Sequence, residues 1–206
     1  MATNTSNPTG LTPSRLLTGA APSFQGQAFK IKNGYGSKIG RGDVVSTGTS
    51  GNQGYVIIAA ANPTSILGVF GAVYPYYDTV QQQTAHGQNG AYIAGITPPT
   101  GVDVDCWVTV DPNQVYLVQA IGGPFTTSMR GLNVNWTTST NGVPNAAGIS
   151  ALSVDLSTAA TTNTLPFRIV GLAGVPGGPQ DPANINPLIE VMLNFGLSEF
   201  NQALAI

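Results

Sequence analysis

Charge is what this sequence has least of. Seven Lys and Arg and nine Asp and Glu make up 8% of its 206 residues, against about 25% in an ordinary soluble protein. A surface built instead from Ser, Thr, Asn, Gln, Gly and apolar atoms has little to hold neighbouring molecules apart, so it suits a protein whose surface becomes covered. The net charge of −2 supplies no field for collecting phosphates, and nucleic acid is not an expected partner. Cys106 is the one cysteine and His86 the one histidine, which excludes an internal disulfide framework and leaves little for a metal site. No apolar run reaches the roughly 18 residues of a membrane span. The first residues lack a basic start followed by an apolar stretch, so synthesis in the cytoplasm is expected.

The chemistry of catalysis is sparse in the same way. No Gly-rich phosphate loop, zinc-ligand spacing or nucleophile elbow occurs, so the expectation is a protein that is not an enzyme and holds no cofactor or metal. His86 lies in the polar stretch "QQQTAHGQNG", the composition of a loop. Asp103 and Asp105 share a strand face without the further oxygens that calcium needs. The only glutamates are Glu190 and Glu199, and no local arrangement around either suggests a glycosidase pair.

What is present is β pattern. In "VDVDCWVTVDP", Val102, Val104, Cys106, Val108 and Val110 point one way, with Asp103, Asp105, Trp107 and Thr109 on the other, a half-buried strand that ends at Pro112. This puts the thiol on an apolar face, where it is core filler. Phe29 and Ile31 alternate with Lys30 and Lys32 in the same fashion. The run "ILGVFGAVYPYY", Ile66 to Tyr77, is apolar on both faces and laced with glycine, which suits a strand covered on both sides or approached closely by another backbone. "QVYLVQA" and "LIEVMLNF" read as further strands, the latter with Ile189, Val191, Leu193 and Phe195 on one side. The 26 glycines and 15 prolines are spaced so that almost no helix fits between them. Only "SEFNQALAI", with Ser198 as N-cap, has room to turn helically. Many short strands between turn signals predict an all-β fold, a compact β-barrel or sandwich-like domain over residues 29–206.

Residues 1–28 are rich in Ser, Thr, Pro and Gly with no sustained period, the composition of an extended N-terminal arm. Such an arm frays unless something holds it, and Leu11, Arg15, Leu16 and Leu17 are its expected points of attachment. Tyr74, Tyr76 and Tyr77, with Tyr92 further on, form a tyrosine-rich segment suited either to closing a barrel or to a subunit contact, since Tyr is enriched in interface cores. Arg41-Gly42-Asp43 spells an adhesion tripeptide. Gly40 and Gly42 permit positive φ, however, and Asp43 is able to hydrogen-bond the backbone that follows, so the segment reads as a turn that opens a strand.

In order along the chain, "GLTPSR", "FKIKNGYGSKIGRGDVV", "LGVFGAVY", "VTVDPNQVYLVQA", "NAAGISALSVDLSTAATTNTLPFRIVGL" and "LIEVMLNF" resemble the capsid decoration, or cement, proteins of tailed bacteriophages. The likeness spans nearly the whole chain. It departs at Val110-Asp111, where the family often has Asp-Asp before Pro, and at "HGQNGAYIAG", which replaces a Trp-Pro region. The resemblance implies that Gly42-Asp43-Val44 matches the family's Gly-Asp turn. It also implies a virion structural protein, made in the host cytoplasm and located on the outer surface of the capsid. There it would bind the major capsid protein, associate as a homotrimer and stabilise the head against internal pressure. The alternative from another class is a head-fibre or tail-associated module that holds a host glycan on exposed aromatics such as Trp136 or the tyrosine cluster.

Overall fold

The computed structural model describes residues 8–22, 26–78, 83–85, 89–93, 102–137, 141–173 and 185–201. They form an all-β fold. The strands are β1 (Thr12–Leu16), β2 (Gln27–Ile31), β3 (Val44–Thr47), β4 (Val56–Ile58), β5 (Gly68–Val73), β6 (Tyr76–Asp78), β7 (Gln83–Ala85), β8 (Val104–Thr109), β9 (Gln114–Ile121), β10 (Asn133–Trp136), β11 (Val154–Ala160), β12 (Phe167–Leu172) and β13 (Leu188–Leu193). Three short 3-10 turns, Thr127–Met129, Phe195–Leu197 and Glu199–Asn201, are the only helical elements among the described residues. The last of these occupies part of the segment expected to turn helically, and residues 202–206 lie outside the described set.

Strands β9, β11, β10, β12 and β13 follow one another in a sheet that closes on itself, because β13 pairs back onto β9 from Leu188↔Gln119 to Met192↔Val115. Closure removes the exposed edges that a flat sheet would leave. All ladders in this ring are antiparallel except the short parallel pairing of β11 with the end of β9. A second sheet runs β2-β8-β5-β3-β4, and β6 and β7 make a separate hairpin.

The strand period of two explains how the two sheets meet. Val44, Ile66 and Val69 belong to the core inside the ring, together with Tyr116, Trp136, Phe167 and Ile189. Their chain neighbours Val45, Leu67 and Phe70 belong to a second core with Ile31, Val104, Cys106 and Val108. Strands β3 and β5 are therefore a middle layer buried on both faces, as the uninterrupted apolar run at Ile66–Tyr77 led us to expect. Gly68 shows why glycine is needed there. A Cβ at this position would lie 2.3 Å from the carbonyl oxygen of Thr109 on β8, a backbone approach that no side chain permits.

The arm is corrected in part. Residues 12–16 form β1, which lies along the first half of β9 in the register Thr12↔Leu117 to Leu16↔Gln114. Leu11 is buried in the core of the ring, and its N–H donates to the Gly42 carbonyl at 3.0 Å. This segment is therefore part of the domain. The alternation was invisible because the register shifts between Pro13 and Arg15, a bulge that breaks the period. Strand β2 likewise begins at Gln27, before the expected boundary. Val102 is a smaller correction: β8 starts only at Val104, and Val102 is exposed rather than inward.

Candidate functional site

The Arg-Gly-Asp segment is a structural turn. Gly42 has φ +89°, and a Cβ there would sit 2.9 Å from the Leu11 nitrogen, so both conformation and space require glycine. Asp43 is 0% exposed. Its carboxylate accepts the Gly40 N–H at 2.7 Å, the Ser150 hydroxyl and the Gly142 N–H. Ser150 Oγ in turn accepts the Leu152 N–H at 2.9 Å, and Arg41 and Ser150 exchange backbone bonds with their neighbours, Arg41 N–H to Gly148 O and Ser150 N–H to Arg41 O, both at 2.9 Å. Burial pushes the Asp43 carboxyl up to about 6, against the opposing pull of the bonds from Ser150, Gly40 and Gly142. The donors differ from the following backbone expected of an isolated turn. The side chain points into the fold and ties the turn to loops about a hundred residues away. Arg41 is exposed, with one long 3.4 Å bond to the Ala147 carbonyl. A receptor that must grip the carboxylate has no access to it here.

The four residues expected to attach the arm separate. Leu11 is a core residue and not a contact. Arg15 makes a two-pronged ion pair with Glu190, Nε to Oε1 at 3.1 Å and Nη2 to Oε2 at 2.7 Å, which fastens β1 to β13. Leu16 is half-buried. Leu17 alone is open, 47% exposed, and it lines a groove of about 380 Å³ with Arg168, Met192, Asn194 and Phe195. Phe195 is 40% exposed, which corrects its expected place on the inner face with Ile189, Val191 and Leu193. Asn194 explains the change of direction. Its Oδ1 accepts the Gly196 N–H at 3.2 Å, while its Nδ2 donates to the Asn163 and Leu165 carbonyls at 2.8 Å. The chain thus leaves the strand and the phenyl ring is turned outward.

The tyrosines divide as well. Tyr74 is exposed and Tyr76 half-buried, while the side chain of Tyr77 lies outside the described residues. Tyr92 is buried against Tyr35, with ring centroids 6.0 Å apart, and donates its hydroxyl to the Tyr35 carbonyl at 2.9 Å. Trp136, named above as a glycan platform, is 2% exposed and packs on Phe167 at 5.6 Å. It offers no face to a sugar.

The other reactive groups among the described residues are in structural use. Cys106 is buried, and burial pushes its thiol up to about 12, far from a nucleophile's range. Native protein at pH 8 should therefore resist alkylation by iodoacetamide over hours and react completely once unfolded; rapid native labelling, read by mass spectrometry, would contradict this burial. Asp103 accepts the Asn33 N–H and the Tyr55 hydroxyl, both at 3.0 Å, and the Asn33 bond leads in holding its carboxyl below the usual range. Asp105 pairs with Lys30 at 2.7 Å on an exposed face. Glu199 accepts the Thr47 N–H at 2.8 Å and hydroxyls from Thr47 and Ser65. Among the described residues no three His, Cys, Asp or Glu side chains are grouped to hold a metal ion; His86 lies outside them. Among the described residues, the surface carries the Leu17–Phe195 groove and a cavity of about 270 Å³ lined by Leu11, Pro13, Arg41, Phe70 and Trp107, with exposed apolar side chains elsewhere. Neither a family model, nor a curated protein, nor a solved structure matches this chain.

Proposed function

We propose that this chain is a non-enzymatic structural protein of a tailed-phage virion, a decoration protein that binds the major capsid protein on the outside of the head. The reading rests on the family likeness of the ordered sequence segments and on one physical observation. Large apolar side chains, among them Leu17, Tyr74, Val143, Phe195 and Phe200, stand exposed on a protein with only 8% charge. Scattered exposed apolar residues are ordinary, but the chain as a whole carries little charge to keep neighbours apart, and a broad, mostly apolar contact is the arrangement that covers them. Burial at about 25 cal/mol per Å² would supply the binding energy, and association as a homotrimer would let each unit bridge several shell subunits. Side chains of β3 and β5 enter both cores and tie the second sheet to the closed ring, which suits a mechanical bridge.

The consequence is measurable on heads prepared with and without the chain. Heads lacking it should release their DNA at a lower temperature, and adding back purified protein should restore the release temperature. Identical release curves with and without bound protein would remove the stabilising role.

A further inference from the structure

On the outward side of β12, exposed Arg168 lines the Leu17–Phe195 groove, and Arg130 lies across Gly171 of the same strand. Arg168 stands opposite Met192, and Gly171 opposite Glu190. Arg130 follows the 3-10 turn Thr127–Met129 and lies across Gly171, where an added Cβ would be 3.3 Å from its Nε. The Arg168 Nη2 in turn lies 3.9 Å from the Cβ position of Gly131. The Gly131 N–H to Ile169 carbonyl bond and the Ile169 N–H to Leu132 carbonyl bond, both 2.9 Å, hold this segment alongside β12. Arg15 on β1 is already paired with Glu190 of β13. Among the described residues Arg130 and Arg168 have no ion pair, the two recorded being Arg15–Glu190 and Lys30–Asp105.

We infer that this face docks an acidic, apolar polypeptide segment, with an apolar side chain between Leu17 and Phe195 and a neighbouring carboxylate on Arg168, within the field of Arg130. Guanidinium groups bind carboxylates two-pronged, so an exposed arginine at the rim of an apolar groove favours a partner that brings a carboxylate beside its apolar side chain. That the partner is the phage shell rests on the reading proposed above; the chemistry of the face does not. Most of the contact energy comes from the apolar walls. The arginines select the partner and fix its register.

The test titrates the full isotope-labelled chain with the peptide acetyl-Leu-Glu-Val-Asp-Leu-amide and follows amide shifts by NMR. Shifts should localise to Leu17, Arg168 and Phe195. The double variant Arg130→Gln/Arg168→Gln, which changes only exposed side chains, should bind about fivefold more weakly, the contribution of two exposed ion pairs. The neutral peptide acetyl-Leu-Gln-Val-Asn-Leu-amide should bind wild type as weakly as the acidic peptide binds the variant. Scattered shifts, equal binding of both peptides, an unchanged affinity in the variant, or stronger shifts from an oligothymidylate would each overturn the proposal. If the acidic peptide binds but purified chain fails to bind stripped heads, the capsid reading falls and this inference stands.

Discussion

Replacing Asp43 by Ala should destabilise the protein by about 3 kcal/mol at pH 8 and about 4.4 kcal/mol at pH 5, whereas Arg41→Ala should change stability by less than about 0.5 kcal/mol. The loss arises because three donors, the Ser150 hydroxyl and the N–H groups of Gly40 and Gly142, converge on a carboxylate with no access to water. Removing the acceptor leaves all three buried without a partner. The pH dependence follows from linkage. The folded Asp43 carboxyl has been raised from 3.8 to about 6, so the folded state binds its proton more tightly than the unfolded chain does. The resulting stability is fully present below 3.8 and is lost as pH rises through about 6. Between pH 5 and pH 8 it amounts to about 1.4 kcal/mol, and only the wild type possesses it. Urea midpoints of the two proteins at both pH values measure this directly. A variant whose deficit is the same at pH 5 and pH 8 would show that Asp43 is not held protonated in that window.

Gly68→Ala should cost about 3 kcal/mol, lowering the midpoint of thermal unfolding by about 6–12 °C for a chain of this length. The added methyl would meet the Thr109 carbonyl oxygen at 2.3 Å and Val108 Cγ1 at 2.9 Å. A flexible side chain could step aside, but the oxygen is backbone of the paired strand, so β5 and β8 would have to separate. Both faces of β5 would feel the change, because Val69 and Phe70 serve different cores. Gly36→Ala is the matched control, since nothing lies within 4 Å of its Cβ position, and calorimetry should find it nearly neutral. Equal midpoints for the two variants would mean that the strands tolerate the wider spacing.

Much of the fold was legible because it rests on local patterns. Alternation placed Cys106 inward, and the doubly apolar run with its glycines announced the middle layer, since a strand with no wet face must be covered twice. The arm was misjudged where a bulge at Pro13–Arg15 hid the period, and Phe195 where a side-chain cap at Asn194 ended a strand whose spacing continued smoothly. Asp43 was assigned to a turn, but its donors Gly142 and Ser150 are about a hundred residues distant, and nothing local announces them. Trp136 was offered as an exposed platform although it alternates with the apolar Val134; both side chains are buried in the ring. The arginine face had no sequence signal at all. Arg130 and Arg168 are 38 residues apart, and the segment after Arg130 runs beside β12 only because Gly131 and Leu132 hydrogen-bond to Ile169.

The central claim, a protein that covers the outside of a phage head, is tested most directly by imaging heads stripped of the chain and then mixed with the purified protein. Electron cryomicroscopy should reveal added density at fixed, symmetry-related positions on the outer surface, fitted by trimers of this fold with the β12–β13 face toward the shell. Heads that remain bare at saturating protein, or density confined to the tail, would contradict the account.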